Sequence, residues 1–142
     1  MSIETIDVMY TAVATAENGR DGRVASDDGK LDVVVNPPRE MGGSGAGTNP
    51  EQLFAAGYSA CFQGALGVVA RKEGADISGS TVTAKVGIGK TPAGGFGLKV
   101  AISASIPNVD AATAKSLVEK AHQVCPYSNA TRGNIEVTLD VA

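Results

Sequence analysis

The order of periodic segments along the chain predicts an α+β fold, with helices packed on largely antiparallel sheet. Three observations carry this. Stretches rich in β-branched residues recur around two helical patterns in the order βββ–α–ββ–α–β. Residues 134–141 alternate strictly, with Ile135, Val137, Leu139 and Val141 set against Glu136, Thr138 and Asp140, the mark of a half-buried strand. The stretch from Leu53 to Ala70 holds no charged residue, and a helix that is apolar nearly all round belongs inside a structure.

Taken in order, residues 5–16 are rich in β-branched types and read as a first strand. Residues 17–22 (ENGRDG) form a turn. Residues 23–26 and 30–35 read as short strands joined through Asp27–Asp28–Gly29. Pro37 and Pro38 end the β region, since proline donates nothing to a ladder. The glycine-rich run 41–47 reads as a flexible loop. A helix then opens at Pro50, either with Asn49 as N-cap or with Thr48 and Glu51 as a capping box. It runs to about Glu73, where Gly74 stops it. Its length is roughly 36 Å.

A second hairpin is expected over 80–90 and 96–106, around the turn Thr91–Gly95. Asp110 then caps a second helix, which places Ala114, Leu117, Val118, Ala121 and Cys125 on one face. Pro126 disfavours helix at Cys125 and puts that residue at the helix end.

A chain of 142 residues fits one domain. The net charge of −3 and the lack of a basic stripe give no broad attraction to nucleic acid or to anionic membranes. The acidic N-terminus is no signal peptide. The uncharged stretch is as long as a short membrane span, yet Tyr58, Ser59, Gln63 and three glycines in it favour a buried helix over a spanning one. A cytoplasmic protein is the expectation.

The chemistry-bearing residues are Cys61, Cys125 and the single histidine, His122. Their spacing matches no metal pattern. Cys61 lies inside the apolar helix, where burial raises a thiol's pKa and the helix N-terminus is too far away to help. A reactive Cys61 therefore needs a cation from elsewhere, with Arg20, Arg23, Arg71 and Arg132 as candidates. Cys125 stands on the apolar face of its helix, at a break, and could face the helix that carries Cys61; the two thiols can pair if their Cα atoms come within ~4.4–6.8 Å. His122, three residues before Cys125, reads first as a solvated or capping side chain of the last turn, with a Cys–His nucleophilic pair as the alternative.

Three motifs carry a resemblance: NGRDG at 18–22, TNPEQLFAAGYSACF at 48–62 and HQVCPYSNATRGNI at 122–135. With VGIG at 86–89 and GGFGL at 94–98, they resemble the organic hydroperoxide resistance (Ohr) branch of the Ohr/OsmC family along essentially the whole chain. The resemblance implies an OsmC-like intertwined homodimer, with sheets wrapped around central helices. It implies a peroxidase acting on alkyl and fatty-acid hydroperoxides, recycled by a dithiol such as a dihydrolipoyl group, without cofactor. By the same resemblance Cys61 is the peroxidatic cysteine, Cys125 the resolving one, Arg20 the arginine beside the reactive sulfur and Glu51 its acidic partner. Glu51 lies ten residues before Cys61, ~15 Å along a straight helix, so it is expected to serve the Cys61 of the other subunit. Phe54, Tyr58, Phe96 and Tyr127 are candidates to line an apolar pocket for bulky peroxides.

Two other readings use the same residues. A phosphate-binding module fits the order strand, glycine-rich loop, helix, but Gly42–x4–Gly47 is followed by Thr48 and lacks the P-loop lysine. A thiol-based redox sensor without turnover uses both cysteines, although no basic DNA-reading helix accompanies them.

Overall fold

The computed structural model describes residues 3–142. The chain folds into two compact units, one running to Pro50 and the other spanning Glu51–Ala142. Each contains a three-stranded sheet, and three of the four strand pairings are antiparallel. The architecture is α+β, as the segment order predicts.

The N-terminal unit is a meander of β1 (Ala14–Glu17), β2 (Gly22–Ser26) and β3 (Asp32–Val35). The first strand is shorter than expected. Pairing begins at Ala14 opposite Ser26, where β2 ends, and a bond from the Asp27 amide to the Val13 carbonyl at 3.0 Å extends it by one residue. Strand propensity without a neighbouring strand is not enough. Ile3, Ile6, Val8, Met9 and Tyr10 are accordingly exposed, Met9 completely.

The β1–β2 turn is built for a tight reversal. Asn18 and Gly19 both take positive φ, which asparagine and glycine tolerate best. The Asn18 side chain donates to the Asp21 carbonyl at 2.7 Å, and Asn36 donates to the Asp21 carboxylate at 2.7 Å. Gly22 has no room for a Cβ, which would fall 2.0 Å from the Glu17 carbonyl oxygen.

The glycine-rich run is ordered, contrary to expectation. A 3-10 turn at Arg39–Met41 opens it. The amides of Gly43 and Gly45 then donate to the carbonyls of Pro38 and Pro37. Thr48 bonds back to Val34, forming an isolated parallel bridge with Val35. Glycine at 43 allows this close folding, since a Cβ there would sit 2.1 Å from the Pro37 oxygen.

The C-terminal unit holds α1 (Pro50–Glu73), β4 (Thr81–Lys90), β5 (Phe96–Ser105), α2 (Ala111–Val124), α3 (Pro126–Thr131) and β6 (Val137–Val141). The sheet order is β4-β5-β6. β4 and β5 form the expected hairpin. β6 returns parallel to β5, as a strand reached through a helical crossover must. Val100, Ile102 and Ala104 of β5 are buried in one core with Tyr58, Phe62, Leu66 and Val69 of α1 and Leu117, Val118 and Ala121 of α2.

By length and composition α1 would cross a membrane; here it is a core helix. Its side chains also serve the edge strand β4. Ser59 Oγ accepts from the Ala84 amide at 3.2 Å, and Gln63 donates to the Ser80 carbonyl at 2.9 Å. Asp110 caps α2 as expected, its carboxylate accepting from the Thr113 amide at 2.7 Å. The short helix α3 was not foreseen. Pro126 ends α2, and it also occupies the first position of a new helix, where a missing N–H is harmless.

Candidate functional site

The site in the C-terminal unit is built on α1 and on the break between α2 and α3. Phe54, Tyr58 and Cys61 recur at helical spacing, so they share one face of α1. Cys125 is both the last cap of α2 and the first cap of α3, with extended backbone (φ −61°, ψ 123°). Its N–H donates to the Ala121 carbonyl at 2.8 Å, closing α2. Its carbonyl accepts from the Asn129 amide at 3.0 Å, opening α3. The backbone of Cys125 is thus tied into both helices.

This geometry brings the two free thiols together. The Cys125 thiol donates to the Cys61 sulfur across 3.4 Å. Cys125 is fully buried, whereas Cys61 is only partly buried. Burial pushes the Cys61 thiol above its ordinary pKa. A backbone hydrogen bond from Tyr127 opposes this, and the neighbouring Cys125 thiol adds to it. The C-terminal unit alone therefore leaves Cys61 a poor nucleophile, because the thiolate is the reactive form.

Three of the four aromatic candidates pack together. Tyr58 and Tyr127 have ring centroids 5.6 Å apart, and Phe54 lies 6.1 Å from each. Gly57 makes room for this cluster, since a Cβ there would lie 2.8 Å from the Tyr127 hydroxyl. Tyr58 is fully buried, with its hydroxyl bonded to Ser128 Oγ at 2.9 Å and Thr131 Oγ1 at 3.0 Å. Tyr127 is 39% exposed. Phe96 stands apart, opening β5 opposite Lys90 and 70% exposed.

The candidate cations differ in their commitments. Arg23 makes a two-pronged bond to Asp32, at 2.8 and 2.7 Å. Arg132 donates to the His122 carbonyl and to Asn129. Arg71 lies in the last turn of α1, ten residues beyond Cys61, or ~15 Å along the helix. Arg20 sits on the tight turn of the N-terminal unit, between β1 and β2. Glu51 lies in the first turn of α1.

Sequence reasoning missed Ser128 and Thr131, both buried on α3, and with them the partner that His122 finds. His122 Nδ1 lies 2.8 Å from Ser128 Oγ. The available signal was the run Cys–Pro–Tyr–Ser, in which proline starts a turn of helix and turns the serine inward.

Comparison with known proteins identifies the family of the chain. Residues 42–140 match the family model described as OsmC-like protein. The organic hydroperoxide resistance protein of Xanthomonas axonopodis pv. citri is 56% identical over 137 residues, covering 95% of this chain and 96% of that protein. Two solved organic hydroperoxide resistance proteins superpose with TM-scores of 0.91. One, from Elizabethkingia anophelis, is 54% identical, covering 96% of this chain and 99% of its own. The other, from Vibrio cholerae and solved with captopril in one of its active sites, is 49% identical over 97% of this chain and 95% of its own. With a matching family model, a matching fold and 49–56% identity over nearly the whole chain, the chain belongs to the OsmC family, in its organic hydroperoxide resistance branch.

Proposed function

We propose that the protein is a thiol-dependent peroxidase that reduces alkyl and fatty-acid hydroperoxides to alcohols, with Cys61 as the peroxidatic and Cys125 as the resolving cysteine. The observation that carries this is the asymmetry of the pair. A partly buried sulfur stands in front of a fully buried one, 3.4 Å behind it. Only Cys61 is open to substrate, and Cys125 is poised to capture what Cys61 becomes.

The Cys61 thiolate attacks the terminal oxygen of the hydroperoxide. The S–O bond forms, the O–O bond breaks, and the alkoxide takes up a proton and leaves as alcohol. Cys61 is then a sulfenic acid. The Cys125 sulfur attacks it, the S–O bond breaks, and the hydroxyl departs as water, leaving a disulfide. A dithiol such as a dihydrolipoyl group reduces that disulfide by exchange and becomes oxidised itself.

The first step needs a cation, and Arg20 is our assignment. Arg20 stands in the GRDG motif, at the place of the arginine that the Ohr resemblance puts beside the reactive sulfur. The guanidinium of Arg20 would stabilise both thiolate and departing oxygen by charge-assisted hydrogen bonds, with Glu51 orienting it. Phe54 and Tyr127 form the apolar wall that favours bulky peroxides, and the buried Tyr58 ring is its floor.

The working unit is a homodimer. Ala56, Ala60 and Gly64 form an exposed row of small residues on an apolar helix. Phe96 and the segment from Ile3 to Tyr10 expose further apolar surface, and a second copy is the natural cover for all of it. The relatives match across both compact units, which supports reading the chain as one functional domain. We place it in the cytoplasm, where free thiols persist.

Single-cysteine variants test the assignment. Cys61→Ser should lower hydroperoxide consumption to the uncatalysed background. Cys125→Ser, treated with excess alkyl hydroperoxide and no reductant, should consume one equivalent quickly and then pass to the sulfinic acid at Cys61, read by mass spectrometry. Sustained multi-turnover activity in the Cys61→Ser protein would refute the reading. Stoichiometric oxidation without dithiol-driven turnover in the parent would favour a sensor.

A further inference from the structure

We propose that His122, Ser128, Tyr58 and Thr131 form a strap across the α2–α3 break that positions Cys125 for attack on oxidised Cys61. The inference rests on the peroxidase reading and adds positioning residues to its second step. Four side chains from three elements form one chain of hydrogen bonds through the buried hydroxyls of Ser128 and Tyr58. Ser128 Oγ lies 2.8 Å from His122 Nδ1, in the last turn of α2, and 2.9 Å from the Tyr58 hydroxyl of α1. The Tyr58 hydroxyl also meets Thr131 Oγ1 at 3.0 Å, and Thr131 donates onward to the Ser128 carbonyl at 3.3 Å. Ser128 and Tyr58 are fully buried and Thr131 nearly so. Arg132, which ends α3, donates to the carbonyl of His122, a second tie over the same break.

The placement matters because Cys125 lies inside the loop that the strap closes. His122 is three residues before it and Ser128 three after. Between them the chain leaves helical geometry for one residue only. A free α3 would swing about that residue and carry the Cys125 sulfur with it. Forming the disulfide requires the sulfurs to close by ~1.4 Å from their present separation, so a small error in the resting place of Cys125 is large on the scale of the step. Cys61 is on the continuous helix α1 and gains nothing from the strap. The strap should therefore set the rate of condensation and leave the first oxidation alone.

The side chains are well suited to separating these effects. In Ser128→Ala the Tyr58 hydroxyl keeps Thr131, and the half-exposed His122 ring turns to water, so the core is not left with an orphaned polar group. His122→Ala cuts the strap from its other end. His122→Asn replaces the ring with a side-chain amide that can reach the Ser128 hydroxyl from about the same place.

Each protein would be oxidised twice, once with an alkyl hydroperoxide and once with diamide. With diamide, Cys61 adds to the diazene nitrogen and Cys125 then displaces the reduced hydrazine. That reaction shares the condensation step and needs no peroxidase activity. Samples quenched by alkylation and weighed by mass spectrometry give the Cys61 oxidation rate, the disulfide rate and the sulfinic acid formed per turnover. In Ser128→Ala and His122→Ala, Cys61 oxidation should keep the parent rate. Disulfide closure should slow by roughly tenfold with either oxidant, within the 10²-fold that a 1 Å misplacement can cost. Sulfinic acid per turnover should rise by the same factor, and His122→Asn should return to parent values. Unchanged closure in both alanine variants, or a fall in Cys61 oxidation matching the fall in closure, would overturn the strap. If Ser128→Ala does not fold, the His122 pair decides alone. A parent slow with peroxide but quick to close with diamide would count against the peroxidase reading and leave the strap supported.

Discussion

Cys61 and Cys125 are the same residue type 3.4 Å apart, yet the chain has solved two different problems around them. Cys61 stands mid-helix, partly buried, in a backbone that needs no help to hold its shape. What it lacks is charge, since burial drives its thiol away from ionisation. Cys125 stands at a helix break, buried, with its backbone tied to α2 on one side and α3 on the other. What it requires is position. On the proposed mechanism the first cysteine depends on a cation brought to it and the second on hydrogen bonds that locate it, so damage to the two supports should look different.

The largest effect should follow from removing the cation. In Arg20→Met the Cys61 thiol loses its proposed partner, and peroxide consumption should fall by about 10²–10³-fold, the usual loss when one charge-stabilising donor is deleted. The pH profile makes this specific. A thiol with a raised pKa yields more thiolate as pH increases, so the variant should regain rate steadily through the alkaline range while the parent stays flat. Disulfide closure by diamide at high pH, where both proteins are ionised, should differ little. Stopped-flow peroxide consumption between pH 6 and 10 checks it, and an Arg20→Met profile parallel to the parent's would remove Arg20 from the site.

A smaller effect tests which chain supplies Glu51. Glu51→Gln and Cys61→Ser proteins, co-expressed with different tags and isolated as the mixed dimer, should recover roughly half the parent activity if Glu51 serves the opposite subunit, because one of two symmetric sites is then complete. Supply within one chain leaves the mixed dimer as weak as Glu51→Gln alone.

Much of the Cys61 side was legible in the sequence, and less of the Cys125 side. The helix at 50–73 and the hairpin at 80–90 and 96–106 follow from local signals, namely Pro50, Gly74 and strict alternation, and the structure agrees almost to the residue. Local signals failed where a residue's conformation depends on distant partners. Residues 5–13 have strand composition but lie ahead of β1, which starts where β2 provides a partner. Residues 134–136 alternate like a strand, but the amides of Asn134 and Ile135 bond back to Thr131 and finish the α3 turn, so β6 begins at Val137. Pro126 was read as a stop when it is also a start. The strap joins residues 58, 122, 128 and 131, and no spacing along the chain announces it.

The smallest expected effect concerns the strap's one titratable member. Burial, and then the nearby Arg132 charge, hold the His122 imidazole below the ordinary histidine range. The unfolded chain therefore binds a proton at a pH where the folded one does not. Stability from this group is complete above about pH 6.5, the unfolded value. It declines as the pH falls below that, until the folded pKa is also passed. Between pH 7.5 and 5.5 few carboxylates change charge, so the window isolates the histidine. The parent should lose melting temperature across it, by less than the ~4 °C that 1 kcal/mol brings to a chain of this size, since the ring is half-exposed. His122→Asn keeps the bond to Ser128 without titrating, and its melting temperature should stay level. Parallel curves for the two proteins would mean that His122 is solvated like a surface residue, and the contrast between a cysteine held by charge and a cysteine held by hydrogen bonds would lose its second half.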